Sequence, residues 1–134
     1  MAGTRWVQRD LLEHYPTAKL HVYAIWFDML ASDARTRWPA TLLTDPRVMH
    51  GWDEPKAAGR WFAEHASSMR PLLTPDSRWG NGDVLWDSWL LYGPTASWAS
   101  SEAVPTDLIH WGRTIVASRE TLKTDFERIF GAPH

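Results

Sequence analysis

Residues 20–27 read LHVYAIWF and residues 84–92 read VLWDSWLLY, and these two stretches decide the fold class. From Val22 onward the first is apolar on both alternating sets of side chains, the pattern of a strand covered on both faces. Outward from it, residues 4–15 fit a helix with Thr4 as N-cap and Val7, Leu11 and Tyr15 on one stripe, ended by Pro16. Ser32 or Asp33 caps a helix toward Leu43 that Pro39 breaks, and a turn at Thr44, Asp45 and Pro46 leads into a short second strand over 47–52, RVMHGW. Asp53 or Glu54, with Pro55 in the first turn, starts a helix whose Ala58, Trp61, Phe62 and His65 follow the i, i+3, i+4, i+7 spacing.

Residues 67–83 contain Pro71, Pro75, Gly80 and Gly82 and few periodic apolar positions, which is the composition of a long loop. The strand at 84–92 stops at Gly93 and Pro94, and residues 95–99 are expected to return as its antiparallel partner. Residues 108–116 are extended, and Ser118 is expected to cap a last helix carrying Leu122, Phe126, Ile129 and Phe130 on one face, closed by Gly131 and Pro133.

At 134 residues the chain has room for one domain, 1–134, and 44% apolar residues are enough to build a core, so a disordered or fibrous chain is excluded. Fourteen basic against sixteen acidic residues leave a net charge of −2, which provides no electrostatic footprint for phosphate backbones or anionic lipid. Neither nucleic acid nor a membrane is expected as a partner. The absence of cysteine excludes disulfides, thiolate metal sites and thiol chemistry within this chain. No apolar run approaches the ~18 residues of a spanning helix, and Met1 to Arg5 lack the layout of a signal peptide. A cytoplasmic location is therefore expected.

Helices alternating with the first strands call for a parallel pair, and the late hairpin adds antiparallel strands. That order, with DSWLLYGPTASW as hairpin and HWGRTIVASRETLKTDFERIF as a last strand passing through Gly112 into a helix, resembles the thioredoxin-like fold superfamily. The resemblance implies an α/β single domain: a mixed sheet with helices on both faces and a late antiparallel hairpin. It also implies what is missing. The family's Cys-x-x-Cys and the central strand delivering it have no counterpart here, and Asn81, Gly82, Asp83 and Val84 stand where a cis-proline would precede the hairpin. The implied domain performs neither disulfide exchange nor peroxide reduction. The strands at 20–27 and 84–92 would flank the missing strand, and a two-fold homodimer, by strand pairing or by exchange of the N-terminal helix, would cover them.

In open α/β sheets ligands bind beyond the carboxyl ends of parallel strands, where Asp28 and Asp53 fall, and Asp83 begins a strand expected to run the other way. With His50 these three carboxylates are the candidates for a small hydrolase or a metal-dependent enzyme at the sheet edge, since crowded carboxylates raise one pKa toward neutrality. The competing reading gives the aspartates to turns and helix caps. His50 with Asp53 and His110 with Asp107 are i, i+3 pairs without a zinc signature, so no metal and no cofactor is assigned. His14, His21 and His65 are expected on partly buried faces. No GxSxG or phosphate-cradling loop occurs. Of ten tryptophans, Trp26, Trp61, Trp86 and Trp89 lie within regular elements and are read as core. Trp52, Trp79, Trp98 and Trp111 lie near loops or strand ends, where an indole stacks on a sugar, an aromatic compound or a protein partner. The leading functional reading is a non-redox binding or self-assembling module.

Overall fold

The computed structural model describes residues 2–30, 40–71 and 84–131, and the chain divides into two compact units, the first ending at Ala58 and the second starting at Gly59. In the first unit, α1 (Ala2–Trp6) continues as π-helical turns over Val7–Leu12. Leu11 and Leu12 on this segment, Tyr15 just after it and Leu43 are all buried. The strands β1 (Val22–Trp26) and β2 (Val48–Trp52) pair in parallel, Val22 opposite Val48 through Trp26 opposite Trp52. Most of the helix expected from residue 32 lies outside the described residues; what is described ends in a single 3₁₀ turn, Ala40–Leu42.

Arg47 ties these pieces together. Its Nη1 donates to the carbonyls of Tyr15 (2.7 Å) and Ala18 (3.0 Å), and its Nη2 donates to the carbonyl of Leu12 (2.8 Å). The same guanidinium grips Asp45 through Nε (2.8 Å) and Nη2 (2.6 Å). A helix leaves its last carbonyls without intrahelical partners, and here a side chain from just before β2 satisfies one of them and fixes the turn that follows. The Arg47 guanidinium in turn holds the Asp45 carboxyl below its ordinary pKa.

α2 (Ala57–Glu64) begins where the Asp53 carboxylate accepts from the backbone N–H groups of Ala57 (3.0 Å) and Ala58 (2.8 Å). The aspartate is thus the expected cap, and Pro55 precedes the helix.

The second unit is built on β3 (Ser88–Tyr92) and β4 (Leu108–Arg113), antiparallel, with Ser88 opposite Arg113 and a bulge between Leu91 and Tyr92. This corrects the expected partner: residues 95–99 form no strand, and β4 is the return. The physical reason is visible in the excursion between them. The Asp107 carboxylate accepts from the backbone N–H and the hydroxyl of Thr95 (3.0 and 2.7 Å), and Ser97 and Thr106 bond to each other (3.0 Å from the Ser97 N–H to the Thr106 hydroxyl). Those side chains satisfy the backbone donors that a tight hairpin would have used. Gly93 belongs to this arrangement, because a Cβ there would collide with the Asp107 carboxylate.

α3 (Ile115–Phe130) packs on the hairpin and, with it, buries Leu85, Trp89, Trp111, Leu122 and Phe126. Its cap is Thr114, one turn before the expected Ser118. Ser118 is instead inside the helix and 3% exposed; its hydroxyl donates to the Thr114 carbonyl (2.7 Å) and accepts from the buried Trp89 indole N–H (2.7 Å). Gly112 allows this contact: a Cβ on it would lie 2.7 Å from that of Ser118 and 2.9 Å from Trp89 Nε1. The helix ends at Gly131 as expected.

The mixed α/β class, the parallel pair and the antiparallel hairpin are as the sequence implies. Among the described residues the strands form two two-stranded sheets. One expectation about β1 is corrected. Its exposure alternates, with Tyr23 66% and Ile25 49% exposed, so one face of the strand is open rather than both covered. No described helix is long and apolar enough to cross a membrane.

Candidate functional site

The carboxylates proposed for the sheet edge have separate engagements. Both Asp53 oxygens accept from the start of α2, and its own N–H donates to the carbonyl of Trp26 (2.7 Å). Asp28, half-exposed, lies 3.8 Å from the Lys56 ammonium. Asp83 and Trp79 lie outside the described residues. His50 sits on β2 with both ring nitrogens in use: Nδ1 accepts from the Trp26 indole N–H (3.0 Å), and Nε2 donates to the Leu43 carbonyl (2.9 Å). Those partners fix the Nε2–H tautomer and leave the imidazole stacked beside Trp26. Among the described residues no group of three or more histidines, aspartates or glutamates is placed to hold a metal ion.

His110 pairs differently from its sequence spacing. Its Nδ1 donates to Asp125 Oδ2, from β4 to α3, while Asp107 is engaged with Thr95. Asp125 is 2% exposed, and its other oxygen accepts from Arg128 Nη1 (3.0 Å). A carboxylate at Nδ1 leaves Nε2 as the accepting atom of the neutral ring, which is how a general base is oriented. No hydroxyl of a described residue bonds to this imidazole; the pair joins β4 to α3. Sequence reasoning misses Asp125 because fifteen residues separate it from His110 and no periodicity links a strand to a helix face. His14 and His21 are exposed rather than partly buried, and His65 is half-buried.

The tryptophans separate clearly. Trp111 is 2% exposed, and its indole N–H donates to the Arg70 carbonyl, so it is core and not a binding surface. Trp52 is half-buried in β2, opposite Trp26. Trp89 is core as expected, whereas Trp26, Trp61 and Trp86 are half-buried, Trp86 under the Arg113 guanidinium (5.3 Å). Trp98 is 53% exposed and leans on Trp61 (4.9 Å between ring centres, 50° between planes) and Phe62 (6.1 Å). Trp61 stacks on His65 and donates its indole N–H to the Ser101 carbonyl (2.7 Å), fixing the cluster to the segment that carries Trp98. Tyr92, on β3, keeps its hydroxyl buried with no hydrogen-bond partner among the described residues, and burial pushes the phenol pKa up.

In the first unit the open face of β1 and β2 brings together Tyr23, Ile25 and Met49, the last 58% exposed. Tyr23 is the register partner of Met49, and Ile25 that of Gly51. No protein-family model, curated protein or solved structure matches this chain.

Proposed function

We propose that this chain is a non-redox, thioredoxin-like binding module that assembles with a second copy of itself through the open face of β1 and β2. The observation that carries the reading is the exposure of three large apolar side chains, Tyr23, Ile25 and Met49, side by side in one register. Parallel strands occur almost only with both faces covered, so an open parallel pair calls for a covering surface. The second copy is favoured because the patch is free of charge and therefore self-compatible: neither like-charge repulsion nor stranded ions oppose a two-fold contact. Burying the exposed parts of these side chains on two copies recovers on the order of 6 kcal/mol, which exceeds the lower estimates of the cost of association and makes the dimer weak and concentration-dependent.

The thioredoxin-like part of the proposal rests on the order of a parallel pair, an antiparallel hairpin and a final helix, and the non-redox part on the lack of any cysteine. The carboxylate edge favours binding over catalysis, because Asp53 is committed to capping α2. A second surface, at Trp98, is open to a sugar, an aromatic ring or a protein partner.

Dilution followed by nuclear magnetic resonance tests the assembly. Concentration-dependent shifts should concentrate at Tyr23, Ile25, Met49 and Gly51. Shifts that are absent, or that map to β3 and β4 alone, would remove the proposed interface.

A further inference from the structure

Every oxidisable sulfur in this chain belongs to methionine, because it has four methionines and no cysteine. Among the described residues Met29 and Met69 are half-buried, whereas Met49 on β2 is 58% exposed. Its neighbours on the open face are apolar. Tyr23, 66% exposed, stands opposite it in the parallel register. Ile25 leans across from β1 onto β2 one pleat further along, its Cδ1 3.6 Å from where a Cβ on Gly51 would lie. Met49 is thus the position on this face where the gain of one atom changes the polarity of the surface.

Oxidation makes that change. A sulfur lone pair attacks one peroxide oxygen, the S–O bond forms as the O–O bond breaks, the thioether becomes a sulfoxide and the peroxide leaves as water. In the free chain the new oxygen is hydrated. Under a second copy it trades that water for a surface that, among Tyr23, Ile25 and Met49, offers one phenol as donor. A two-fold contact presents the same patch from both chains, so the assembly meets the change twice. The form that reacts is the unassembled chain, in which the sulfur is open to solvent. The reverse step needs two thiols, which become a disulfide as the oxygen leaves as water. On the reading of this chain as a self-assembling module, we infer that Met49 is a redox modification site, whose reversible conversion to the sulfoxide by a peroxide takes the assembly apart.

The test treats the full chain with hydrogen peroxide and follows the same samples by site-resolved peptide mass spectrometry and light scattering. Met49 should be oxidised ahead of Met29 and Met69. Self-association should weaken about tenfold or more, tracking the sulfoxide at Met49 and not that at Met1, Met29 or Met69, with an unchanged circular dichroism spectrum. Met29→Leu combined with Met69→Leu should leave the peroxide response in place, and methionine sulfoxide reductase with dithiothreitol should reverse it. Oxidation of Met29 or Met69 ahead of Met49, or a response abolished by the Met29→Leu and Met69→Leu pair, would overturn the site. A chain that is monomeric before peroxide refutes the assembly and this switch with it. A dimer that persists when Met49 is fully oxidised refutes this inference alone.

Discussion

Replacing Arg47 by Met removes a side chain that bonds three carbonyls and a carboxylate at once. The guanidinium donates to the backbone at Leu12, Tyr15 and Ala18 and to both oxygens of Asp45, with side-chain exposures of only 17% for Arg47 and 11% for Asp45. Methionine preserves much of the apolar stem, so the loss is electrostatic: a nearly buried carboxylate without its cation and three carbonyls without their donor. Losing these charge-assisted bonds at a part-buried site costs about 2–3 kcal/mol, a sizeable share of the 5–15 kcal/mol that holds a domain folded. Urea unfolding followed by circular dichroism at neutral pH should show this as a lower midpoint with an unchanged slope. Asp45→Asn combined with Arg47→Met should recover part of the loss, because no buried charge is then stranded. The sign with pH is also fixed. Asp45 has its folded pKa lowered by Arg47, so the pair contributes stability above the unfolded aspartate value near about 4, and that contribution is lost as pH falls through the folded value. The gap between wild type and Arg47→Met should therefore narrow in acid without closing, because the bonds to the Leu12, Tyr15 and Ala18 carbonyls do not titrate. A loss below about 0.5 kcal/mol at neutral pH, the range of ordinary surface substitutions, would refute the role given to Arg47.

Two further substitutions test local claims. Gly112→Ala drives a Cβ against Ser118 and the Trp89 indole and should cost about 1–3 kcal/mol in the same unfolding assay; unchanged stability would mean that α3 sits farther from β4 than described. Asp53→Ala should cost about 1 kcal/mol and reduce helical signal, while Asp53→Asn, which still caps, should cost only a few tenths; equal losses would show that Asp53 does something other than accept from Ala57 and Ala58.

Much of this architecture is legible along the chain because its signals are local. The Asp53 and Pro55 start of α2, the Gly131 end of α3 and the β-rich runs at β1 and β3 all announce themselves within a few residues. The parallel relation of β1 to β2 follows from the long segment joining them, too long and too interrupted for a hairpin. What escapes is set by contacts distant in sequence. A doubly apolar run such as VYAIW does not say which face finds a neighbour, so the exposure of Tyr23 and Ile25 is not written in it. The partner of β3 depends on side-chain clasps at Asp107 and Thr106 that divert residues 95–99 from pairing. The choice of Thr114 over Ser118 as cap depends on Trp89, which claims the Ser118 hydroxyl. For the candidate sites, Trp98 could be named from its place beyond the Gly93 and Pro94 turn, but Trp111, equally close to a strand end, is core because β4 runs two residues beyond it and Gly112 lets the helix close over the strand.

Light scattering coupled to size exclusion, run across a concentration series from tens to hundreds of micromolar, tests the central claim most directly. The proposed assembly predicts a mass that rises from the 15.4 kDa of one chain toward about 31 kDa, two copies, in the wild type. It also predicts a mass that stays at 15.4 kDa when Tyr23 and Met49 are both replaced by Lys, substitutions that add charge to exposed positions and leave the core alone. A wild-type mass of 15.4 kDa at every concentration, or a dimer that persists in the doubly substituted chain, would contradict it.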